Sequence, residues 1–316
     1  MSKILTVFGA TGNQGGSVIR AVLADPALSK EFKIRGITRD ASKPAAKELA
    51  AKGVEVVKAS RLYVAVNADM SSVQAAAPAV EGAHTVFLVT NFWESMSTDT
   101  EVAQGKAVTD ASKAAGVKHL IFSSLINTTE ASKGRLPNIS HFDGKARIET
   151  YIRGSGVPGT FVLPGMFMSG FAGMIRKQDD GSYSINIPEG VSVDNARTPL
   201  FDAVADAGKF VKAAIKHFPS STNKRIYAAT DYYSPARLLS EFSEVMDKPA
   251  RANTVSHDTF KSFFSPPAAQ EILENWLLLE SPGYYGGADL SESLALLDEK
   301  PTSWKDFVAQ NKAKWL

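Results

Sequence analysis

The sequence predicts an α/β fold built on a doubly wound parallel sheet, and two observations carry this prediction. Short apolar runs alternate with helical patterns through the first half of the chain, the order expected of a parallel sheet covered by helices on both faces. The first run, residues 4–8, leads directly into Gly9, Gly12 and Gly15 and then into a helical pattern. A strand, a glycine-rich turn and a helix in this order predict a phosphate-binding loop at a helix N-terminus.

The strands of the predicted sheet are short and rich in Val, Ile, Leu and Phe, as strands buried on both faces are. They are expected at residues 4–8, 32–38, 54–58, 85–90, 120–123 and 160–163. One intervening helix is predicted to begin at Thr98, where Thr98 and Glu101 have the spacing of a capping box, and to end at Gly116. The next helix is predicted to begin near Ser140 and to end at Gly154.

The pattern of strands and helices changes beyond about residue 165, which predicts two parts. Residues 1–165 are expected to form a Rossmann-type nucleotide-binding domain, and residues 166–316 a smaller C-terminal α/β lobe packed on it. Further strands and helices of the second part are predicted at residues 183–187, 203–217, 225–229 and 235–246. The cleft between the two parts, at the carboxyl ends of the strands, is the expected ligand site.

Composition narrows the classes of function. The 316 residues are 44% hydrophobic and 22% charged, with a net charge of +2 and no cysteine. The near-neutral charge gives no reason to expect nucleic acid or a membrane surface as a partner. The absence of cysteine excludes disulfides, thiolate metal sites and cysteine nucleophiles. No metal site is expected, and the protein is predicted to be cytoplasmic, with the nucleus as a second location.

The end of the second predicted strand indicates which dinucleotide the loop binds. Arg39 lies where the adenosine 2′ substituent is expected, and Lys43 follows four residues later. An arginine offers paired donors to a phosphate, whereas NAD sites usually carry an acidic residue here. This pattern favours NADP(H). Two alternatives stay open: Arg39 and Lys43 form a solvated surface pair, or Asp40 reaches the ribose after a shift of one residue.

Several motifs in these elements resemble those of a known family. They are Gly9-Ala10-Thr11-Gly12-Asn13-Gln14-Gly15-Gly16, Thr38-Arg39, Thr90-Asn91-Phe92-Trp93-Glu94, His141-Phe142-Asp143-Gly144-Lys145 and Leu163-Pro164-Gly165-Met166-Phe167. Together they resemble the NmrA-like family, an atypical branch of the short-chain dehydrogenases and reductases, and are most similar to its HSCARG-type NADPH sensor proteins. The resemblance implies a Rossmann domain that binds NADP(H) and a small C-terminal lobe.

The glycine loop, the strand ends and the resemblance together assign a set of cofactor contacts. The expected contacts are Gly9, Thr11, Gly12, Asn13, Gln14, Gly15, Arg39, Lys43, Asp69, Met70, Thr90, Asn91, Phe92, Lys145, Pro164 and Phe167. Asn91 is expected to face the nicotinamide ribose and Phe167 to cover the nicotinamide. The chain departs from the family pattern at residues 59–68, which separate the third strand from Asp69, the aspartate expected near adenine.

Two functions are open for this site. Typical short-chain reductases carry a tyrosine four residues before the lysine, whereas this chain has His141 before Lys145. In the first interpretation Lys145 only holds cofactor, and the protein is a redox sensor that acts through a partner such as a transcription factor or a metabolic enzyme. In the second, His141 is the catalytic acid, helped by Ser124, and the protein reduces a small carbonyl, quinone or imine. The sequence favours the first.

Structural roles compete with both interpretations. His141 can be a first-turn helix residue without a catalytic role, and Lys145 can form an i, i+4 surface pair with Glu149. Phe92 and Trp93 are expected to shape the pocket wall. A monomer and a homodimer both stay open.

Overall fold

The structure is a computed structural model that describes residues 2–58 and 69–316. Its strands are β1 (Lys3–Phe8), β2 (Phe32–Thr38), β3 (Glu55–Lys58), β4 (Thr85–Leu88), β5 (His119–Ser123), β6 (Gly159–Pro164), β7 (Met166–Phe167), β8 (Arg176–Lys177), β9 (Tyr183–Pro188), β10 (Thr198–Phe201), β11 (Arg225–Ala228), β12 (Asp231–Tyr233) and β13 (Ala250–Val255). The segment 59–68, which the sequence marks as a departure from the family pattern, lies outside the described residues.

Helices connect most of these strands. They are α1 (Asn13–Ala24), α2 (Leu28–Glu31), α3 (Pro44–Ala51), α4 (Val73–Val80), α5 (Phe92–Ser95), α6 (Thr98–Ala114), α7 (Thr128–Ala131), α8 (Ser140–Ser155), α9 (Met168–Met174), α10 (Ala207–Lys216), α11 (Pro235–Met246), α12 (His257–Lys261), α13 (Pro266–Leu277), α14 (Ser291–Ala295) and α15 (Trp304–Gln310). Within the described residues, no helix is both long and apolar enough to cross a membrane.

The central sheet confirms the predicted α/β fold. Its seven strands lie in the order β11-β6-β5-β4-β1-β2-β3, and every neighbouring pair is parallel. The chain runs outward from β1 through β2 to β3 and then returns to place β4 on the other side of β1. The strand order therefore reverses between β1 and β4, and a crevice forms there at the carboxyl ends of the strands.

Alternate side chains of the central strands pack into two separate hydrophobic cores, one on each face of the sheet. In β4, Val86 and Leu88 belong to the core under α6 and α8, whereas Phe87 belongs to the core under α1 and α10. This alternation follows from the two-residue period of a strand. All four residues of β4 are buried, which explains why apolar residues follow one another without a break from Val86 to Leu88.

Two predictions about helix ends are wrong: the capping box of α6 and the glycine that ends α8. Helix α6 does begin at Thr98, but Ser97 is its N-cap and accepts the backbone N–H of Thr100, so Thr98 and Glu101 do not form a capping box. Glu101 instead points into the interior, where its exposure is 1%. Helix α8 continues through Gly154 and ends at Ser155. Gly156 is its C-cap, with a φ of +86° that a glycine adopts without steric cost.

The second half of the chain adds two small sheets, β12-β10-β7 and β13-β9-β8. It also returns to the central sheet, because β11 pairs in parallel with β6 and covers an edge that would otherwise be open. Helix α10 packs on α1 of the first half. The central layer thus takes residues from both sides of the boundary predicted between residues 165 and 166, and the exact division into two units stays a prediction.

Candidate functional site

A large cleft lies at the carboxyl ends of β1, β2, β4 and β6. Its volume is about 1060 Å³. Of the residues predicted to contact cofactor or substrate, those that line it are Gly9, Thr11, Gly12, Asn13, Gln14, Gly15, Arg39, Asp69, Met70, Thr90, Asn91, Phe92, His141, Lys145, Pro164 and Phe167. The fold therefore gathers segments that are far apart in sequence around one cavity at the point where the strand order reverses.

The glycine loop joins β1 to α1 and forms one end of the cleft. Gly9 has a φ of +65°, and its carbonyl accepts the backbone N–H of Gly12 at 2.9 Å. A Cβ on Gly15 would lie 2.2 Å from the Gly9 oxygen, so only glycine allows α1 to approach the loop this closely. Gly12 at the N-cap offers no side-chain cap, which leaves the first N–H groups of α1 for a ligand. Such a helix end attracts an anion.

Lys145 forms a buried cluster with Thr90 and Glu101 in the cleft wall. Its ammonium lies 3.0 Å from Thr90 Oγ1 and 3.3 Å from Thr90 O, and it also contacts Glu101 Oε1. The Thr90 hydroxyl in turn donates to Glu101 Oε1 at 2.7 Å. Burial lowers the pKa of Lys145, and the adjacent Glu101 carboxylate opposes that shift. An ammonium has three donors, and these three acceptors account for all of them.

His141 lies in the same cleft and is held from the C-terminal half of the chain. Its Nδ1 is 2.5 Å from Glu271 Oε1, and its backbone N–H donates to the same oxygen at 2.8 Å. The imidazole lies among rings, with its centroid 5.0 Å from that of Trp93 and 4.8 Å from that of Phe142. Because Nδ1 is taken by Glu271, Nε2 is the nitrogen left for a molecule in the cleft.

Comparison with known proteins identifies the family. The NmrA-like family matches residues 1–308, nearly the whole chain. The chain belongs to the NmrA-like family.

The relatives of this NmrA-like protein include enzymes by name. It is 31% identical to the NmrA-like family domain-containing oxidoreductase malD of Malbranchea aurantiaca over 265 residues, 79% of this chain and 74% of malD. It is 37% identical to the oxidoreductase ptmS of Penicillium ochrochloron over 176 residues, and this match spans about half of that relative, 48%.

Among solved structures, NmrA, a negative transcriptional regulator in complex with NADP, superimposes with a TM-score of 0.80 at 20% identity. The match covers 100% of this chain and 98% of NmrA. At this level of identity, the likeness establishes the shared Rossmann-type fold.

Arg39 follows β2 at the rim of the cleft of this NmrA-like protein. Its side chain is 72% exposed and lies 2.5 Å from Glu94 Oε1 of α5. The ionic partner of Arg39 is thus Glu94, and the alternative of a solvated surface residue stays open for Arg39. Lys43 is the exposed N-cap of α3 and does not line the cleft. Because Lys43 is not among the residues that line the cleft, its predicted phosphate contact stays a prediction.

Ser124 is the other predicted site residue that the fold keeps out of the cleft. It is fully buried, and its hydroxyl donates to Glu149 Oε2 at 2.7 Å. Glu149 also binds Arg153 and Arg225, so it is not the partner of Lys145. The structure thus gives Ser124 a role in packing, because its hydroxyl is directed at a buried carboxylate rather than at a substrate.

Two further predicted contacts, Asp69 and Phe167, also line the cleft. Asp69 Oδ1 accepts the N–H of Ser71 at 2.7 Å, which shapes the turn before α4. Phe167 packs on Phe201 with the ring centroids 5.8 Å apart while lining the cleft. Whether these residues touch a cofactor stays a prediction.

The sequence did not identify two acidic residues that hold the site together, Glu101 and Glu271. For Glu101 a signal exists: Gly105, Thr109 and Ser112 recur on its face of α6, and this run of small residues indicates a buried, closely packed face. For Glu271 no local signal exists, since it meets His141 across 130 residues of chain.

Proposed function

We propose that the protein binds NADP(H) and reduces a small carbonyl, quinone or imine compound, with His141 as the proton donor. The observation that carries the proposal is the presence of His141, steadied by Glu271, in the same cleft as the glycine loop. The sequence alone favours a sensor over an enzyme. The buried carboxylate behind His141 reverses that preference, and the oxidoreductase malD, similar over most of this chain, supports the reversal.

The residues present fit a dinucleotide with a 2′-phosphate. The uncapped N-terminus of α1 and the close approach at Gly15 provide a cradle for a pyrophosphate. Arg39 provides a guanidinium at the rim for the 2′-phosphate. NmrA, which shares the fold, is known in complex with NADP. Bound NADPH supplies the two electrons of the reduction.

The side chains of the cleft supply the proton and exclude water from the reacting atoms. Reduction of a carbonyl, quinone or imine leaves an oxygen or nitrogen that must take up a proton. Lys145 is poorly suited to donate it, since Thr90 and Glu101 occupy its three donors. His141 Nε2 is the better placed donor. Phe92, Trp93 and Phe167 provide the apolar walls that limit access of water to the reacting atoms.

The test is NADPH consumption by the purified protein over a panel of ketones, quinones and cyclic imines. His141→Gln is expected to lower kcat by about 10²- to 10⁴-fold with little change in NADPH affinity, the usual range for loss of an acid catalyst. His257→Gln is the matched control, because His257 is exposed and bonds to Glu189 outside the cleft. Tight NADPH binding without turnover over the whole panel would contradict the proposal.

A second candidate function is the redox sensor, acting through a transcription factor or a metabolic enzyme in the cytoplasm or nucleus. The observation that favours it is the rim of the cleft, where α5 and the residue after it expose Trp93 by 46% and Met96 by 39%. Glu94 of α5 pairs with Arg39, so binding of a 2′-phosphate competes with that pair. Under this function, Trp93 fluorescence should respond to NADP(H) more strongly than to NAD(H), without consumption of NADPH.

A further inference from the structure

We propose that Glu271, contributed by α13, is the positioning residue for His141 and holds its ring with the proton on Nδ1 and with Nε2 toward the substrate. This inference rests on the proposed reductase function. Under this inference, the C-terminal half of the chain orients the proton donor in addition to enclosing the substrate.

The geometry of the contact is specific to the ring. Glu271 is 5% exposed, and a single oxygen, Oε1, accepts the backbone N–H of His141 at 2.8 Å and lies 2.5 Å from Nδ1. Backbone and side chain of one residue thus bind the same atom, which fixes the imidazole relative to the first turn of α8. A carboxylate accepts hydrogen bonds and cannot donate them, so it requires a proton on Nδ1.

The proton balance of the reaction matches this arrangement. The imidazolium breaks its Nε2–H bond, and that proton forms a new O–H or N–H bond on the substrate atom. The hydride that the substrate takes up in the same reduction would come from bound NADPH, which would be left as NADP⁺. The electron pair of the broken bond stays on Nε2, which leaves a neutral imidazole with its remaining proton on Nδ1. This tautomer is the one that Glu271 stabilises. The Glu271 carboxylate therefore stabilises both the imidazolium before proton transfer and the neutral ring with its proton on Nδ1 after it.

A purely structural role for Glu271 is the competing explanation, and the chain offers a control for it. Helix α8 has no side-chain cap of its own, so a carboxylate near its first turn also satisfies free N–H groups. Glu274 lies one turn further along α13, is equally buried at 5%, and accepts the N–H of Asn138 at 2.7 Å. It anchors the same segment but has no bond to the imidazole. Loss of Glu274 therefore reports the structural contribution alone.

The first measurement uses the cofactor-free full chain labelled with ¹⁵N-histidine, with the His141 resonances assigned through His141→Gln. At a pH at which the imidazole is neutral, the wild type should show protonated Nδ1 and unprotonated Nε2. Glu271→Met removes the acceptor and should move the proton to Nε2, whereas Glu274→Met should leave the pattern unchanged. Glu271→Gln, which keeps the shape of the side chain, should shift the Nδ1–H resonance if the methionine variant does not fold.

The result that overturns the inference is an unchanged His141 spectrum in the Glu271 variants, or an equal change in the Glu271 and Glu274 variants. Because no cofactor or substrate is present, this result stands apart from the failure of the reductase proposal.

Kinetics supply the second measurement. Glu271→Gln should lower kcat by about 10²-fold with KM for NADPH changed by less than about threefold, while Glu274→Gln should alter kcat by less than about threefold. Equal losses in both variants would reduce Glu271 to a helix cap. If the wild type shows the expected tautomer but no turnover with any substrate, the placement of the ring is correct and the reductase function is wrong.

Discussion

The ammonium of Lys145 shows how neighbouring groups decide what a single side chain can do. A lysine at this point in a short-chain reductase is expected to bind the nicotinamide ribose. Here Thr90 and Glu101 accept all three of its hydrogen bonds, and burial lowers its pKa. A ribose hydroxyl must share or displace one of these acceptors. The other carboxylate oxygen, Glu101 Oε2, is buried without a hydrogen-bond partner among the described residues.

The exposed guanidinium of Arg39 is expected to decide the preference for NADP(H) over NAD(H). Arg39→Ala should raise Kd for NADP(H) by about 10- to 100-fold, because a charge-assisted hydrogen bond to phosphate contributes about 1.5–3 kcal/mol. Kd for NAD(H), which lacks the 2′-phosphate, should change by less than about threefold. Isothermal titration calorimetry measures both.

Lys43→Ala is the control, since Lys43 is exposed and lies outside the cleft. Equal losses for the two dinucleotides in Arg39→Ala would contradict the 2′-phosphate role. The sequence could supply this prediction because Arg39 immediately follows β2, and the end of a parallel strand fixes the edge of the sheet on which a residue lies.

At the scale of elements, the packing of α6 on α8 places Glu101 beside Lys145. Gly105 allows this approach, because a Cβ at that position would lie 2.6 Å from Cγ2 of the fully buried Ile148. One turn away, a Cβ on Gly144 would lie 2.9 Å from Glu101 Oε2. The two glycines therefore bring the helix backbones close enough for a buried ion pair to form between them.

The two helices give a paired prediction. Gly105→Ala should lower the free energy of unfolding by about 1–3 kcal/mol, since the added methyl group overlaps a side chain that has no space to move. Gly154→Ala should raise it by about 0.5–1 kcal/mol, because nothing lies within 4 Å of the added Cβ and alanine favours the helix. Urea denaturation measures both, and a similar change in the two variants would contradict the close contact.

The helix ends show which parts of the elements follow from local sequence. Ser234 caps α11, as predicted, because the cap, the proline after it and the helix are adjacent in sequence. The start of α6 was assigned the wrong cap because Ser97 and Thr98 both suit that role. Glu101 is buried against α8 and so cannot complete a capping box with Thr98. This burial depends on tertiary packing and cannot be read from the local sequence.

At the scale of the whole molecule, a buried histidine links stability to pH. His119 begins β5, is 1% exposed, and its Nε2 lies 2.8 Å from Thr160 Oγ1 of β6. Burial lowers the pKa of His119 from 6.5 to about 3. Between these values the unfolded chain binds a proton that the folded chain does not. Stability contributed by the neutral ring is therefore complete above pH 6.5 and declines as pH falls.

The expected result is a decline in the free energy of unfolding of about 1.4 kcal/mol per pH unit from this group between about pH 6 and pH 4.5. His119→Gln should reduce that slope, and His257→Gln, at an exposed position, should not. Denaturation at several pH values in this range measures the slope. This pH range also lies above the titration of Asp25. The hydrogen bond from Lys216 lowers the pKa of Asp25 to about 2, so the stability that Asp25 contributes is lost only below pH 3.8. An unchanged slope in His119→Gln would show that His119 takes up a proton in the folded state.

The doubly wound sheet, the glycine loop and the position of Arg39 after β2 could all be predicted from the sequence. Each of these depends on residues that are adjacent or periodic along the chain, so strand and helix geometry suffices to place them. The partners of Lys145 and His141 could not be predicted in this way, because Glu101 and Glu271 lie 44 and 130 residues away from them and meet them through helix packing. The local sequence around a glutamate does not predict which cation or ring its carboxylate will contact, since the contact depends on how distant helices pack.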